Sequence, residues 1–192
     1  MNKINADVLK IISKLDLKQH PEGGYYKEIY RSNDIIVPPE RFEGEKRNAC
    51  TSIYYMLCDD DYSAWHRIKS DEIWHFYSGS ALVIYVIDEN GSLSSHTLGN
   101  LTCDENAVFQ VTIKANQWFA AKVIKENSYS LVGCTVSPGF DFKDFQLGDR
   151  EALIKQFPSH ISIIKQLTRL NIAQSNAKNS QSIDKISLSN AL

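Results

Sequence analysis

Apolar and polar positions alternate through the middle of the chain, whereas helical spacing marks its two ends. Between residues 48 and 136, short runs rich in Tyr, Val, Ile, Thr and Trp are separated by polar turn clusters. They predict eight strands, at 50–57, 63–69, 72–77, 81–87, 93–98, 108–113, 117–123 and 129–136. Because no helical stretch separates these runs, the pattern favours an antiparallel sandwich or barrel over a parallel sheet.

The N-terminal segment predicts an amphipathic helix, capped by Asn2 or Asn5. Its apolar positions recur at three- and four-residue spacing and share one face: Ile4, Val8, Ile11, Ile12 and Leu15. The sequence His20-Pro21 with Gly23-Gly24 then stops the helix, since the residue before proline avoids helical geometry.

Helical spacing returns after Pro138-Gly139. Asp149 is placed to cap a short helix that runs to Phe157, and Ser159 to cap a second one. One face of the second helix carries His160, Ile163, Ile164, Leu167 and Leu170. We therefore divide the chain into an N-terminal helix (1–18), a β domain (19–146), C-terminal helices (147–170) and a polar tail (171–192).

Composition narrows the class of protein. The 192 residues carry a net charge of −2, which gives no basic surface for nucleic acid. No apolar run approaches the roughly 18 residues of a membrane helix, and the N-terminus lacks the apolar core of a signal peptide. We expect a cytoplasmic protein without membrane or nucleic-acid partners. Its four cysteines form no CxxC pair and are expected to be reduced thiols.

The segment from Trp65 to Gly79 carries the candidate chemistry. Strand alternation puts His66 and Ile68 on one face, and in the next strand Glu72 shares a face with Trp74 and Phe76. Side chains aimed into a barrel from successive strands can converge on one ligand, so His66 and Glu72 are the predicted catalytic pair. A carboxylate among aromatic residues must hold a partner such as Arg31 or Arg67, a proton or a ligand.

These residues resemble the first motif of the cupin superfamily, a His-x-His pair followed by Glu and Gly. His66, Glu72 and Gly79 are in register, while Ile68 replaces the second histidine. Residues 114–119 match the second motif in place, with Phe119 where its histidine belongs. More closely, the segments 20–31, 66–79 and 133–140 are similar to an uncharacterised bacterial and fungal cupin-like family with HPEGGYY, HR…SDEIWHFY.G and GCTVxPGF motifs.

The resemblance implies a mainly β protein, a double-stranded β-helix or cupin jelly roll, with a small-molecule pocket and a homodimeric assembly. Cupin metal sites generally use three histidines and one glutamate, and only His66 and Glu72 of that set are present. We therefore assign no metal ligand and no cofactor, and leave open a weakly held divalent ion between these two residues.

Further ligand-binding candidates come from two groups of residues. Segment 20–31 is interpreted either as a strand covering the barrel or as a pocket wall in which Arg31 pairs with a carboxylate or phosphate of the ligand. That segment also supplies Glu22, Tyr25 and Glu28. Aromatic faces suit sugar rings or flat ligands, which adds Tyr54, Trp74, Phe76 and Phe119.

Three functions remain open at the level of sequence. The first is binding of a sugar-like or carboxylate- or phosphate-bearing metabolite. The second, by similarity to the metal-independent dTDP-sugar 3,5-epimerases, is an epimerase or isomerase with His66 as general base. Those enzymes place an acidic tyrosine after a Cys-Thr pair, but here Cys134-Thr135 precedes Val136, so Tyr25, Tyr54 and Tyr129 stay alternatives. The third is a metal-dependent cupin enzyme with a reduced ligand set.

Overall fold

Two six-stranded sheets packed face to face form the body of the protein. The structure is a computed structural model and describes residues 6–169. The strands are β1 Lys18–Gln19, β2 Tyr25–Arg31, β3 Ile35–Ile36, β4 Arg47–Asn48, β5 Thr51–Cys58, β6 Tyr62–Ile68, β7 Asp71–Gly79, β8 Leu82–Ile87, β9 Leu93–Leu98, β10 Ala107–Val108, β11 Gln110–Ile113, β12 Trp118–Val123, β13 Tyr129–Ser137 and β14 Phe145–Leu147. The helices are α1 Ala6–Leu15, α2 Arg150–Gln156 and α3 Ile161–Gln166, with short 3-10 helices at Glu40–Phe42, Phe142–Asp144 and Pro158–His160.

The strand order is that of a jelly roll. Sheet 1 runs β1-β2-β5-β13-β7-β11 and sheet 2 runs β10-β9-β8-β12-β6-β14, while β3 and β4 form a separate pair. All neighbours are antiparallel except β9 and β10. Consecutive strands β6 and β7 lie in opposite sheets, so their inward side chains face each other across the barrel. This confirms the mainly β jelly-roll fold with helices at both ends.

Apolar side chains fill three layers. The largest cluster lies between the two sheets and includes Trp74, Phe119 and Leu82. The C-terminal helices cover the outer face of sheet 2 through Leu153, Ile164 and Leu167, and α1 covers the outer face of sheet 1 through Val8. These layers leave one end of the barrel, where β5 and β7 begin, without a helix over it.

Seven of the eight predicted strands agree with the structure to within one or two residues at each end, and three larger differences remain. The run at 108–113 is two strands, since β10 pairs with β9 in sheet 2 whereas β11 pairs with β7 in sheet 1. Strand β2 was not among the predicted eight, because its tyrosines and charged residues show no apolar alternation. The short strands β1, β3, β4 and β14 were also missed.

One predicted helix cap is confirmed and one is wrong. The Asp149 side chain accepts a hydrogen bond from the Ala152 amide, 2.9 Å away, at the start of α2. Ser159 caps nothing, because it lies inside the 3-10 turn and α3 begins only after His160. The proposed residues Asn2, Ile4, Asn5 and Leu170 and the tail 171–192 lie outside the described residues. The division of the chain at 18, 146 and 170 stays a prediction.

Two further observations concern membrane-spanning helices and the cysteines. No helix within residues 6–169 is long and apolar enough to cross a membrane. Cys50, Cys58, Cys103 and Cys134 are all free thiols, as the sequence predicts.

Candidate functional site

A cavity of about 320 Å³ opens at the uncovered end of the barrel. His66 from β6 and Glu72 from β7 both line it, each more than nine-tenths buried. They reach it from opposite sheets, because β6 lies in sheet 2 and β7 in sheet 1. Their chemical role stays a prediction.

The turn between β1 and β2 brings a third ionisable group, Glu22, into the cavity. Gly23 and Gly24 have φ of 119° and 71°, which side chains rarely allow. A Cβ at Gly23 would lie 2.1 Å from the Tyr62 carbonyl oxygen, and the Tyr55 hydroxyl donates to the Gly23 carbonyl at 2.8 Å. The turn is therefore fixed from both sides, and Glu22 points inward with 5 % of its surface exposed.

Both ring nitrogens of His66 are occupied. Nδ1 lies 2.8 Å from the Ala64 carbonyl oxygen, to which it must donate its proton. Nε2 lies 3.1 Å from Glu22 Oε2. In the neutral ring this leaves Nε2 as an acceptor, so the proton between the two side chains belongs to Glu22.

Burial explains why this proton stays on the carboxyl group. Desolvation lowers the pKa of His66 to about 4, against a smaller opposing effect of the Ala64 carbonyl. Desolvation also raises the pKa of Glu22, which the nearby His20 and the hydrogen bond from Ser63 only partly oppose. With the imidazole neutral and its Nε2 an acceptor, the pair is a carboxylic acid donating to a neutral imidazole. The Ser63 hydroxyl donates to the other oxygen, Oε1, at 2.8 Å.

His20 extends this arrangement on the other side of Glu22. Its Nδ1 lies 3.5 Å from Glu22 Oε2, and its ring packs parallel to Phe142 at 6.0 Å between centroids. Desolvation lowers the pKa of His20, with Glu22 opposing the shift. His20 was absent from the candidates, because it was interpreted only as part of a helix stop.

Glu72 differs from Glu22 because it has no basic partner. Within residues 6–169 it forms no ion pair, so neither Arg31 nor Arg67 is the partner considered from the sequence. Desolvation and the nearby Glu22 raise its pKa to about 8, opposed in part by Cys134 and Trp74. Glu72 is therefore mainly protonated at neutral pH.

Arg31 and Glu28 lie at the mouth of the cavity and bind each other. Arg31 Nε and Nη2 donate to the two Glu28 oxygens at 3.0 and 2.7 Å, and Nη1 donates to Asn48 Oδ1 at 2.9 Å. Both Nη atoms also donate to the Phe140 carbonyl at 3.2 Å. The guanidinium fork expected to hold a ligand anion is thus occupied within the protein.

The segment 139–145, which we call the strap, forms one wall of the cavity with Phe140, Phe142 and Phe145. Asp144 anchors it through two hydrogen bonds from Arg47, at 2.7 and 2.8 Å, in a pair that is almost fully buried. Its phenylalanines were not among the residues predicted from the sequence.

Two predicted tyrosines face away from the cavity. Tyr25 and Tyr54 pack toward α1 on the outer face of sheet 1, and the cavity is lined instead by their neighbours Tyr26 and Tyr55. A shift of one residue along a strand exchanges the two faces of a sheet. Alternation within β5 could have found Tyr55, since Ile53, Tyr55 and Leu57 share the inward face.

Three predicted aromatic residues lie inside the barrel but do not line the cavity. Trp74 and Phe119 are fully buried, and Phe76 packs against the same core cluster. The Phe119 ring lies 4.0 Å from the His66 ring, between centroids, and supports it from behind. These side chains lie in the core between the sheets rather than in the cavity wall, and their contact with a ligand stays a prediction. Of the predicted binding residues, Glu22, Glu28 and Arg31 do line the cavity.

The donor set does not fit a cupin-type metal centre. Ile68 and Phe119 occupy the places where that centre has histidines, and Phe119 pairs in register with His66 across sheet 2. The His66 nitrogen that could bind an ion is turned to Glu22. Within residues 6–169 no three His, Cys, Asp or Glu side chains are grouped to hold a metal ion. We derive no step through a metal.

The buried Glu72 predicts a specific dependence of stability on pH. Its pKa is higher in the folded than in the unfolded chain, so its stabilising contribution is present at low pH and is lost as pH rises from about 4.5 to about 8. Glu72→Gln removes this loss. Between pH 5 and pH 8 the variant should gain on the order of 3 kcal/mol in free energy of unfolding relative to wild type, measured by urea denaturation.

The exposed Glu89→Gln provides the matched control and should follow wild type at both pH values. An equal difference between Glu72→Gln and wild type at pH 5 and pH 8 would contradict the protonated state assigned to Glu72.

The comparisons with known proteins agree with this fold. A structure of protein SO0799 from Shewanella oneidensis superposes with a TM-score of 0.76 at 36% identity, covering 87% of this chain and 99% of the other. A hypothetical protein from Leishmania major superposes with a TM-score of 0.78 at 32% identity, covering 86% and 99%.

The sequence relatives carry no assigned activity. The uncharacterised protein YML079W of Saccharomyces cerevisiae is 25% identical over 149 residues, covering 72% of this chain and 74% of that protein. The sequence model described as Cupin superfamily (DUF985) matches residues 9–148. Together with the two-sheet jelly roll and its end cavity, this match assigns the chain to the DUF985 family of the cupin superfamily.

Proposed function

We propose that this cupin binds a small organic metabolite in the end cavity, without a metal ion. The observation that carries the proposal is the meeting of Glu22, His66 and Glu72, from two sheets and a turn, in a cavity of about 320 Å³. Three buried ionisable groups lower the stability of a barrel. Ionisable groups with shifted pKa values cluster at the functional sites of proteins. The volume is at the lower end of the range for small-molecule pockets.

The lining selects against anionic ligands. Arg31 already donates to Glu28, Asn48 and the Phe140 carbonyl. A ligand carboxylate or phosphate would have to displace Glu28 and would approach further carboxyl groups. The lining therefore favours a sugar-like or other non-anionic ligand over a ligand that bears a carboxylate or phosphate. A homodimer, implied by the family, stays a prediction.

Proton transfer is the second candidate function, because Glu22 and His66 share a proton over 3.1 Å. His66 cannot act alone as the base, since both of its nitrogens are engaged. Glu22 lines the cavity and can exchange a proton with a ligand, while His66 takes up or returns the proton that they share. This would suit a metal-independent isomerase or epimerase that acts next to a carbonyl group.

Filling the cavity tests the binding proposal. Val136→Phe adds a ring to a cavity-lining position, whereas Thr112→Phe adds the same ring on the exposed face of β11 in the same sheet. We expect a nuclear magnetic resonance screen of uncharged and amino-bearing sugars and ring ketones to yield a ligand that perturbs Trp74 and His66. Val136→Phe should weaken its binding at least tenfold, and Thr112→Phe should not. Equal binding by both variants would place the ligand elsewhere.

Deuterium incorporation from solvent tests the proton-transfer candidate. Wild type in D₂O should exchange the hydrogen next to the carbonyl of a bound ketone, and Glu22→Gln should abolish the exchange while the ligand still binds. The exposed Glu89→Gln should exchange at the wild-type rate. Undiminished exchange in Glu22→Gln would overturn the assignment of Glu22 as the acid–base group.

A further inference from the structure

The cavity has more carboxyl groups than permanently positive groups. Four of its lining residues carry carboxyl groups, Glu22, Glu28, Glu72 and Asp141, against the single guanidinium of Arg31. That guanidinium is saturated by its partners at the mouth. The two carboxyl groups deepest in the barrel, Glu22 and Glu72, therefore have no permanent positive charge opposite them.

Glu72 is the buried carboxyl group in this set that forms no ion pair within residues 6–169. Glu22 is satisfied by Ser63 and His66, whereas Glu72 has no ion pair within the described part of the chain. Only 7 % of Glu72 is exposed, and that surface faces the cavity. Removing a carboxyl group from water without a partner is costly, so the site is prepared for a ligand group that interacts with it.

Aromatic rings face the same space. Phe142 lies 5.0 Å from Phe140 and 6.2 Å from Phe145, between centroids, and these three rings line the cavity together with Tyr26 and Tyr55. Ring faces attract positively charged groups, and a cluster of such faces is the usual means by which proteins hold alkylated ammonium groups. Glu72 lines the same cavity and supplies a counter-charge when it is ionised.

We propose that the cavity takes a small organic cation, an alkylated or protonated amine, with its positive charge beside Glu72 and its apolar substituents against the strap phenylalanines. This inference rests on the proposed small-molecule function of the cavity and names the class of its ligand. It follows from the carboxyl groups of the lining, from a buried Glu72 with no ion pair within residues 6–169, and from the aromatic walls.

Binding of a cation is coupled to release of a proton. The free carboxyl group of Glu72, with a pKa of about 8, is mainly protonated at neutral pH, and a cation favours its ionised form. A ligand with permanent charge should therefore bind about 50-fold more tightly at pH 8 than at pH 6, because each unit below the pKa costs about a factor of ten. An uncharged ligand that accepts a hydrogen bond from protonated Glu72 shows the opposite trend.

Titratable groups around Glu72 could also contribute to the pH dependence of cation binding. On β13 the register partner of Glu72 is Val136. The Cys134 thiol, whose pKa is raised well above its ordinary value by burial, interacts with the Glu72 carboxyl group. Across the barrel is His66, with a pKa of about 4, and β11 presents the apolar Ile113. The remaining charged or titratable groups at the cavity are His20, Glu22, Tyr26, Glu28, Arg31, Tyr55 and Asp141. Replacement of Glu72 separates its titration from theirs.

Three probes of one shape and different charge test the inference on the full chain. They are choline, its uncharged isostere 3,3-dimethylbutan-1-ol, and the anion 3,3-dimethylbutanoate, titrated at pH 6, 7 and 8 by protein-observed nuclear magnetic resonance. We expect choline to bind at least tenfold more tightly than the alcohol at pH 8, with its affinity falling toward pH 6, and the anion to bind most weakly. Glu72→Gln should remove the preference for choline and its pH dependence, and Glu89→Gln should keep both.

Three results would overturn the inference. If the alcohol equals or exceeds choline at pH 8 while still perturbing Trp74 and His66, the cation assignment fails although the cavity remains a small-molecule site. If Glu72→Gln retains the full preference for choline, the positive charge lies away from Glu72 and the assignment fails as well. Absence of binding by all three probes also counts against the inference, whereas the screen with Val136→Phe tests the small-molecule function separately.

Discussion

The hydrogen bond between Glu22 and His66 is the interaction on which the rest of the site depends. It joins the turn before β2 to strand β6 of the opposite sheet, over 3.1 Å. Two glycines with positive φ allow the turn, and the Ala64 carbonyl sets the orientation of the imidazole ring. Because the bond lies where water is almost excluded, it is strong only if one partner holds the proton and the other holds none. Burial favours that neutral form over an ion pair.

A neutral pair also explains how the barrel accommodates so many ionisable groups. An isolated buried charge costs several kcal/mol, whereas a carboxylic acid that donates to an imidazole has its polar atoms satisfied. Glu72 lies in the same cavity without such a partner, and its proton is the means by which it stays uncharged. The stability given up at Glu72 is the kind of local cost expected where a fold holds a binding site ready for its ligand.

The sequence predicted the architecture well because strand alternation is a strong signal. Alternation indicated which residues share a face with His66 and Glu72, and the resemblance to cupins indicated that this face points inward. The two residues reach the cavity from opposite sheets. Tyr25 and Tyr54 were chosen by residue type without a strand register, and each lies one position from the residue that lines the cavity. Trp74 and Phe119 point into the barrel as predicted, but they lie in the core between the sheets and not in the cavity wall. How far the core fills a barrel depends on packing that alternation does not indicate. His20 and the strap phenylalanines lie in turns and loops, where no periodicity indicates a direction.

The protonation state of the two buried carboxyl groups is the most direct test of this account. Infrared difference spectra of wild type against Glu22→Gln and Glu72→Gln at pH 6.5 distinguish a protonated carboxyl group from a carboxylate by its carbonyl stretch. The account predicts that each variant loses one protonated-carboxyl band and that neither loses a carboxylate band. Loss of a carboxylate band in either variant, with no change among the protonated bands, would show a charged site and contradict the account.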